Sequence, residues 1–405
     1  MAERKREAAK KRTARQKTEI PMLDYLKWRG DLTFAAAPFN EVDNLVLCTI
    51  SYLRFARFPQ LRTKNPDLAV PIGQVAREMK KEDDQLGLSE FSYLPVIREA
   101  AKSARFGGVR LFGYENELSE GQESQFQAIS FLLPDDAVFV AFMGTDKSLA
   151  GWKEDFNMSY LTVPAQKRAA GYAAEIAAVC EGKKLRIGGH SKGGNLAAWA
   201  AIHLPERVQK EQLLAVYNND GPGFSQALTE TAAYQNVAKK LHTFVPEDSI
   251  VGVLLEHAGD YVVVGSVNRG IAQHDIISWK CEGDHLLHVG HRSQLGQASE
   301  EVVRQWIGSM TPQEREAFSD ALFDIVSGDG KYHTIEEVKI GDKGIWELLR
   351  RFSKADAEKK KVITDIFHRL RLDINEELRR GAEQNVQSVR DTLRTAIDTL
   401  SEKKK

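Results

Sequence analysis

The feature that most restricts this chain is a short run near its middle, Leu185-Arg186-Ile187-Gly188-Gly189-His190-Ser191-Lys192-Gly193-Gly194-Asn195. An apolar strand pattern leads straight into Gly189-His190-Ser191-Lys192-Gly193, and an Ala-rich helical pattern, Gly194–His203, leads straight out. The G-x-S-x-G pattern alone recurs by chance. Between a strand and a helix it describes a sharp turn that holds the serine out at the carboxyl end of a sheet. Neighbours two residues away must then lack side chains, and Gly189 and Gly193 do. The helix behind Ser191 offers free N–H groups and a positive dipole end. Those groups suit an oxyanion better than a neutral carbonyl. Ser191 is therefore the candidate nucleophile.

The flanking rhythm agrees. Val109–Tyr114 and Ala128–Leu133 read as strands, and Ala137–Phe142 is a continuous apolar run of the kind a buried strand needs. Ala165–Cys180 reads as a helix, Leu213–Tyr217 as a strand, Phe224–Lys240 as a helix, then Leu241–Val245 and Tyr261–Gly265 as strands. Strands alternating with helices predict an α/β fold with a mainly parallel sheet covered on both faces. With the elbow, this is the pattern of an α/β-hydrolase. Earlier in the chain, residues 41–55 and the Pro95–Arg105 region read as helices.

Beyond about Ser299 the strand pattern stops. Thr311-Pro312-Gln313-Glu314 has the form of a helix start, with a Thr cap and Pro at the first position. Thr334 is a weaker second cap, and the pattern is helical from about Lys354. There Val386, Val389, Leu393, Ile397 and Leu400 form one apolar stripe. The expected organisation is a basic disordered tail over 1–20, an α/β-hydrolase domain over 21–300, and an α-helical C-terminal extension over 301–405. The extension is expected to be structural, with docking of a protein partner as the other possibility.

A serine hydroxyl needs a base, and in this fold the chain order is Ser, acid, His. The acid belongs just past a later strand. Asp248, after Leu241–Val245, is the expected acid, with Glu247 next. Asp220 also follows a strand, but one strand too early for this order, and its Gly/Pro-rich turn reads as a wall of the cleft. The base belongs on a late loop. His274 is the expected one, ahead of His285, with His257, His288 and His291 as further candidates.

These residues resemble the class 3, or fungal-type, lipase superfamily, and more closely a bacterial family of uncharacterised lipase-like proteins. The resemblance covers roughly residues 22–300. It is carried by Phe142-Met143-Gly144-Thr145-Asp146 with Trp152 and Asp155, by the elbow, by Val245-Pro246-Glu247-Asp248-Ser249-Ile250-Val251, and by His274 with Trp279. It implies an ester hydrolase with a Ser191, Asp248 and His274 triad, and Thr145 and Lys192 as oxyanion-hole N–H donors. Met143 replaces the usual Arg before Gly-Thr, so a buried charge contact is expected to be missing. Lys192 replaces an apolar residue beside the nucleophile, and is expected to be a solvated side chain contributing only its N–H.

Composition bounds the rest. Net charge is -1, which gives no bias toward nucleic acid or anionic membranes. The first 17 residues hold eight Lys or Arg and two acids, without the large apolar side chains of a membrane anchor. No apolar run reaches spanning length. Cys48, Cys180 and Cys281 form no CxxC pair, so no zinc site or disulfide framework is expected and a reducing cytoplasm is. Residues 325–336 imitate a calcium loop, but Ile325 stands where an oxygen donor is needed, so no metal or cofactor is expected. The expected partner is a small-molecule or lipid ester, with peripheral lipid contact possible and no nucleic acid. Carboxylesterase, lipase, phospholipase and thioesterase stay open. So does a silent binding or scaffold module that docks through its C-terminal helices.

Overall fold

In a computed structural model of the chain, the described residues run from 20 to 380. Those excepted are 85–90, 120–123, 147, 159–160, 250, 254, 256–259, 294–295, 298–308, 329, 335–336 and 338–349. The basic tail, the apolar stripe at 386–400, His257, and Asp329 and Glu336 of the calcium-like loop all lie outside the described residues.

Eight strands form one sheet in the linear order β1 to β8. They are β1 (Val70–Pro71), β2 (Arg110–Ser119), β3 (Ser124–Leu132), β4 (Val138–Phe142), β5 (Leu185–His190), β6 (Leu213–Asn219), β7 (Leu241–Pro246) and β8 (Val262–Val264). β4 to β8 are parallel neighbours, while β1 to β4 pair antiparallel and complete one edge. A minor antiparallel pair, β9 (Cys281–Glu282) and β10 (His285–Leu286), follows. The α/β class with a mainly parallel sheet holds, with helices on both faces.

The layering follows from strand order. Parallel strands joined in sequence by right-handed crossovers place every crossover helix on the same face. On that face lie α6 (Pro164–Val179), α7 (Lys192–Ile202), α8 (Glu206–Glu211), α9 (Gln226–Thr229) and α10 (Ala232–Ala238). The opposite face is left to the N-terminal helices α1 (Pro21–Arg29), α2 (Glu41–Ile50), α3 (Ile72–Glu78) and α4 (Leu94–Lys102). Side chains of β4 split accordingly. Val138, Val140 and Phe142 pack among α6 and α7, and Phe139 and Ala141 pack among the N-terminal helices. A strand buried on both faces alternates in direction while staying apolar throughout, hence the unbroken 137–142 run. The long helix expected over Phe224–Lys240 is instead two short ones, α9 and α10. Thr231 caps the second, accepting a bond from the Tyr234 N–H at 3.3 Å.

The N-terminal layer is fixed by a buried ion pair. Arg105 donates to Asp43 and to the carbonyls of Leu32, Ala37 and Pro38, and Tyr25 donates to Asp43 at 2.8 Å. Such a pair serves chiefly to orient, because desolvation offsets much of its attraction.

Two further helices are α5 (Leu149–Asn157), between β4 and α6, and α11 (Pro312–Ser327). The expected Thr311 start of α11 is present as a reciprocal capping box with Glu314. Finally, α12 (Ala357–Arg380) packs on α11 through Ile363 and Ile366. Among the described residues, no helix is long and apolar enough to cross a membrane.

Candidate active site

β5 delivers Ser191 at a bend of φ 58°, ψ −130°, a backbone state that a residue with a Cβ rarely adopts. Its surroundings explain the glycines. A Cβ on Gly189 would lie 2.1 Å from the Gly193 carbonyl oxygen, and one on Gly193 would lie 2.2 Å from that of Phe142. The Ser191 N–H is tied to the Asn219 carbonyl at 2.9 Å, so the elbow is pinned to the end of the neighbouring strand β6. Strain of this kind persists only where the surrounding contacts over-determine the backbone.

His274 ends a short helical turn, Gly270–His274. Its Nε2 lies 3.0 Å from Ser191 Oγ, and its Nδ1 lies 2.6 Å from Asp220 Oδ2. A carboxylate only accepts, so Nδ1 carries the proton and Nε2 is free to receive the serine's. All three side chains are largely buried, Asp220 fully. Burial pulls the imidazole down, but the Asp220 hydrogen bond and charge, with the charges of Asp275 and Asp155, outweigh it and leave His274 above its ordinary value.

The expected acid, Asp248, is not in this line. It accepts bonds from the Gly270 N–H (2.9 Å), from the Gln273 side-chain amide (2.9 Å) and from the Ser293 hydroxyl. Its own N–H donates to the Gln273 side-chain oxygen at 3.1 Å. Asp248 therefore staples the loop that carries His274 and does not touch the imidazole. The next residue faces the site: Ser249 donates its hydroxyl to Asp220 Oδ1. The reason is adjacency. β6 hydrogen-bonds directly to β5, so the residue just past β6 falls beside the elbow, whereas β7 lies one strand farther out. Asp220 takes φ +54°, and its N–H donates to the Phe244 carbonyl at 2.8 Å, which turns its side chain inward. Glu247, His285 and His288 stay out of the line as well. His285 lies beside Asp284, and His288 bonds to Glu41.

The residue before the nucleophile is a second, neutral histidine. His190 Nδ1 lies 2.7 Å from the Tyr52 hydroxyl and its Nε2 lies 2.6 Å from the His274 carbonyl. A carbonyl only accepts, so Nε2 donates and Nδ1 receives the Tyr52 proton. Burial, with the charge of His274, holds His190 well below the ordinary imidazole range. The His190 and His274 rings are 4.7 Å apart, so this neutrality spares the pair a like-charge clash when His274 takes a proton. Tyr52 thus ties the N-terminal layer to the nucleophile. It and His190 escaped the sequence reading because nothing local distinguishes them.

On the other side of Ser191 lies the turn after β4. A Cβ on Gly144 would lie 3.2 Å from Ser191 Cβ and 2.1 Å from the Tyr52 hydroxyl. Next to it, Thr145 donates its hydroxyl to Asp155 of α5. Burial lifts Asp155 to about 6, against the lowering effects of the Lys192 charge and the Thr145 hydroxyl. Lys192 opens α7, so its backbone N–H is among the four that a helix leaves without an internal carbonyl.

Its side chain corrects the expectation of a solvated lysine. Lys192 Nζ is fully buried and donates to the Gln125 carbonyl (2.7 Å), the Gln125 side-chain oxygen (2.6 Å) and Glu154 of α5 (3.2 Å). It reaches away from water into an ion pair. Glu154 also accepts from the Ser124 hydroxyl and from the N–H groups of Gln125 and Ala165. Met143 is buried in the apolar core, so the charged side of this region is carried by Lys192.

Among families, residues 100–324 match the one described as Mbeg1-like. The match extends into α11. Among solved structures, the lipase of a propeptide complex from Rhizomucor miehei is 16% identical, with 38% of this chain and 57% of that one covered and a TM-score of 0.30. The present chain thus spans little more than half of that lipase. A structure titled as a fungal lipase is 13% identical, with 62% of this chain and 87% of that one covered and a TM-score of 0.38. A mutant form of MDLA from Penicillium cyclopium is 13% identical over the same shares, with a TM-score of 0.34. No curated protein matches the sequence.

Proposed function

The chain belongs to the Mbeg1-like family, a lipase-like family, and from that premise we propose that it is a serine hydrolase that cleaves carboxylic esters through an acyl-enzyme on Ser191. The observation that carries this reading is the unbroken line Asp220 Oδ2, His274 Nδ1, His274 Nε2, Ser191 Oγ, with its two gaps of 2.6 and 3.0 Å.

In the proposed reaction Ser191 Oγ attacks the ester carbonyl while His274 Nε2 takes its proton. Asp220 holds the imidazole in the required tautomer and stabilises its charged form. The backbone N–H groups of Thr145 and Lys192 receive the developing oxyanion, and the start of α7 adds its positive dipole end. His274 then gives the proton to the leaving alcohol. A water molecule, deprotonated in turn by His274, attacks the acyl-enzyme; the acyl–Oγ bond breaks, His274 returns the proton to Ser191 Oγ, and the acid is freed.

A fluorophosphonate probe should label the folded wild-type chain, and Ser191→Ala should abolish both labelling and turnover of short p-nitrophenyl esters. A well-folded wild type that neither labels nor turns over would leave the scaffold alternative standing. Labelling that survives in Ser191→Ala would put the nucleophile elsewhere.

A further inference from the structure

The C-terminal helices lie outside the sheet, yet they grip one element that reaches the site. That element is α5, a nine-residue helix too short to hold itself in water. Its inner side bears Glu154, which holds the buried Lys192 ammonium, and Asp155, which holds the Thr145 hydroxyl. These are the side chains of the two residues proposed as oxyanion donors. Its outer side bears Lys153, Phe156 and Asn157, which share one face at helical spacing.

Each of those three is met by α11. Lys153, itself nearly buried, pairs with Asp320 at 2.8 Å. The Ser319 hydroxyl donates to the Asn157 side-chain oxygen at 2.8 Å. The Phe156 and Phe318 rings are 5.7 Å apart, and Phe156 joins the small apolar cluster shared by α11 and α12. The start of α5 is gripped as well. Ser148 forms an isolated β-bridge with Thr334, and the Leu149 N–H donates to the His333 carbonyl at 2.8 Å.

We infer that α11 and the 333–334 segment are a positioning clasp, which seats α5 against the sheet and so holds the Thr145 and Lys192 side of the active site in place. This rests on the ester-hydrolase reading for its catalytic consequence. The physical chain is short. If α5 lifts, Thr145 loses Asp155 and its N–H drifts, and the Lys192 side chain loses its carboxylate in a dry setting, while α7 keeps its own backbone in place and the Ser191, His274 and Asp220 line stays intact. Preorganised donors act on the transition state more than on bound substrate, so turnover should suffer more than binding. Asp320, Ser319 and Phe318 are thus positioning residues that touch no reacting atom.

The test uses the full chain. Asp320→Lys replaces the carboxylate that the nearly buried Lys153 meets with a second ammonium, on a side chain that is itself exposed. It should lower kcat on p-nitrophenyl acetate about three- to tenfold with KM little changed. Deuterium uptake of Ser148–Asn157 should rise while that of Leu185–His203 stays as in wild type. Adding Lys153→Asp should restore both readings, and Ser319→Ala should show the same pattern more weakly. Unchanged kcat and uptake in Asp320→Lys overturn the clasp, as does a rise in uptake that spreads over Leu185–His203. If the wild type lacks turnover and labelling altogether, the hydrolase reading falls on its own and the uptake comparison alone decides the clasp.

Discussion

The turns after β6 and β7 hold one aspartate each, and the two are treated in opposite ways. Asp220, after β6, is fully buried and meets an imidazole on one oxygen and the Ser249 hydroxyl on the other. Asp248, after β7, meets a backbone N–H, an amide and a hydroxyl, all of them neutral groups. The first arrangement makes a charge act on a base. The second makes a charge organise a loop. Both carboxylates serve His274, one through its ring and one through its backbone.

The sharpest way to break this comparison is Asp220→Asn. It keeps the shape, but an amide nitrogen at Oδ2 disfavours the tautomer that leaves Nε2 open, so kcat should fall by about 10⁴ with folding little changed. Asp248→Asn should lower kcat by no more than about tenfold, through a looser Gly270–His274 turn, and should lower stability by about 1–2 kcal/mol in a denaturant titration. Equal losses in the two variants would return the acid's role to Asp248. Ser249→Ala removes one neutral donor from Asp220 and should cost a few-fold in kcat, about 1 kcal/mol. A loss as large as that of Asp220→Asn would mean that Ser249 holds the carboxylate rather than assists it.

The smallest effect sharpens the comparison through pH. The base must be neutral to accept a proton, and His274 is raised in the folded chain, so activity is lost as pH falls through that raised value. The acid limb of kcat/KM should therefore lie above the ordinary histidine value of about 6.5. Ser249→Ala and Asp248→Asn should leave the limb near its wild-type position. The residual activity of Asp220→Asn should show it displaced downward, because the largest effect opposing burial is gone.

Much of the site was legible because its signals are local. Ser191 is announced by two glycines within two residues and by the change of period from strand to helix. His274 is announced by its place on a late loop and by Trp279, whose indole N–H donates to the Gln273 carbonyl at 2.9 Å and locks the turn. The expectation of Asp248 where the structure brings Asp220 to His274 has an equally definite cause. Both turns follow a strand and both present an aspartate. The motif around residues 245–251 belongs to the site, but it supplies Ser249 to Asp220 and Asp248 to the loop. Lys192 misled for a related reason. A lysine on a helix is usually solvated, and only the meeting of β3, α5 and α7 gives this one a buried carboxylate and two oxygen acceptors.

By itself the sequence determined the α/β rhythm, the elbow with its serine, the Thr311 cap of α11 and the histidine that serves as the candidate base. These depend on spacing within a few residues, where side-chain period and backbone preference act directly. Only the tertiary structure decided which carboxylate reaches that histidine, that His190 and Tyr52 stand behind it, and that α11 leans on α5. Each of those is set by which strands and helices become neighbours. That depends on how the whole sheet is ordered and covered, so residues dozens of positions apart along the chain, such as Asp220 and His274, end 2.6 Å apart.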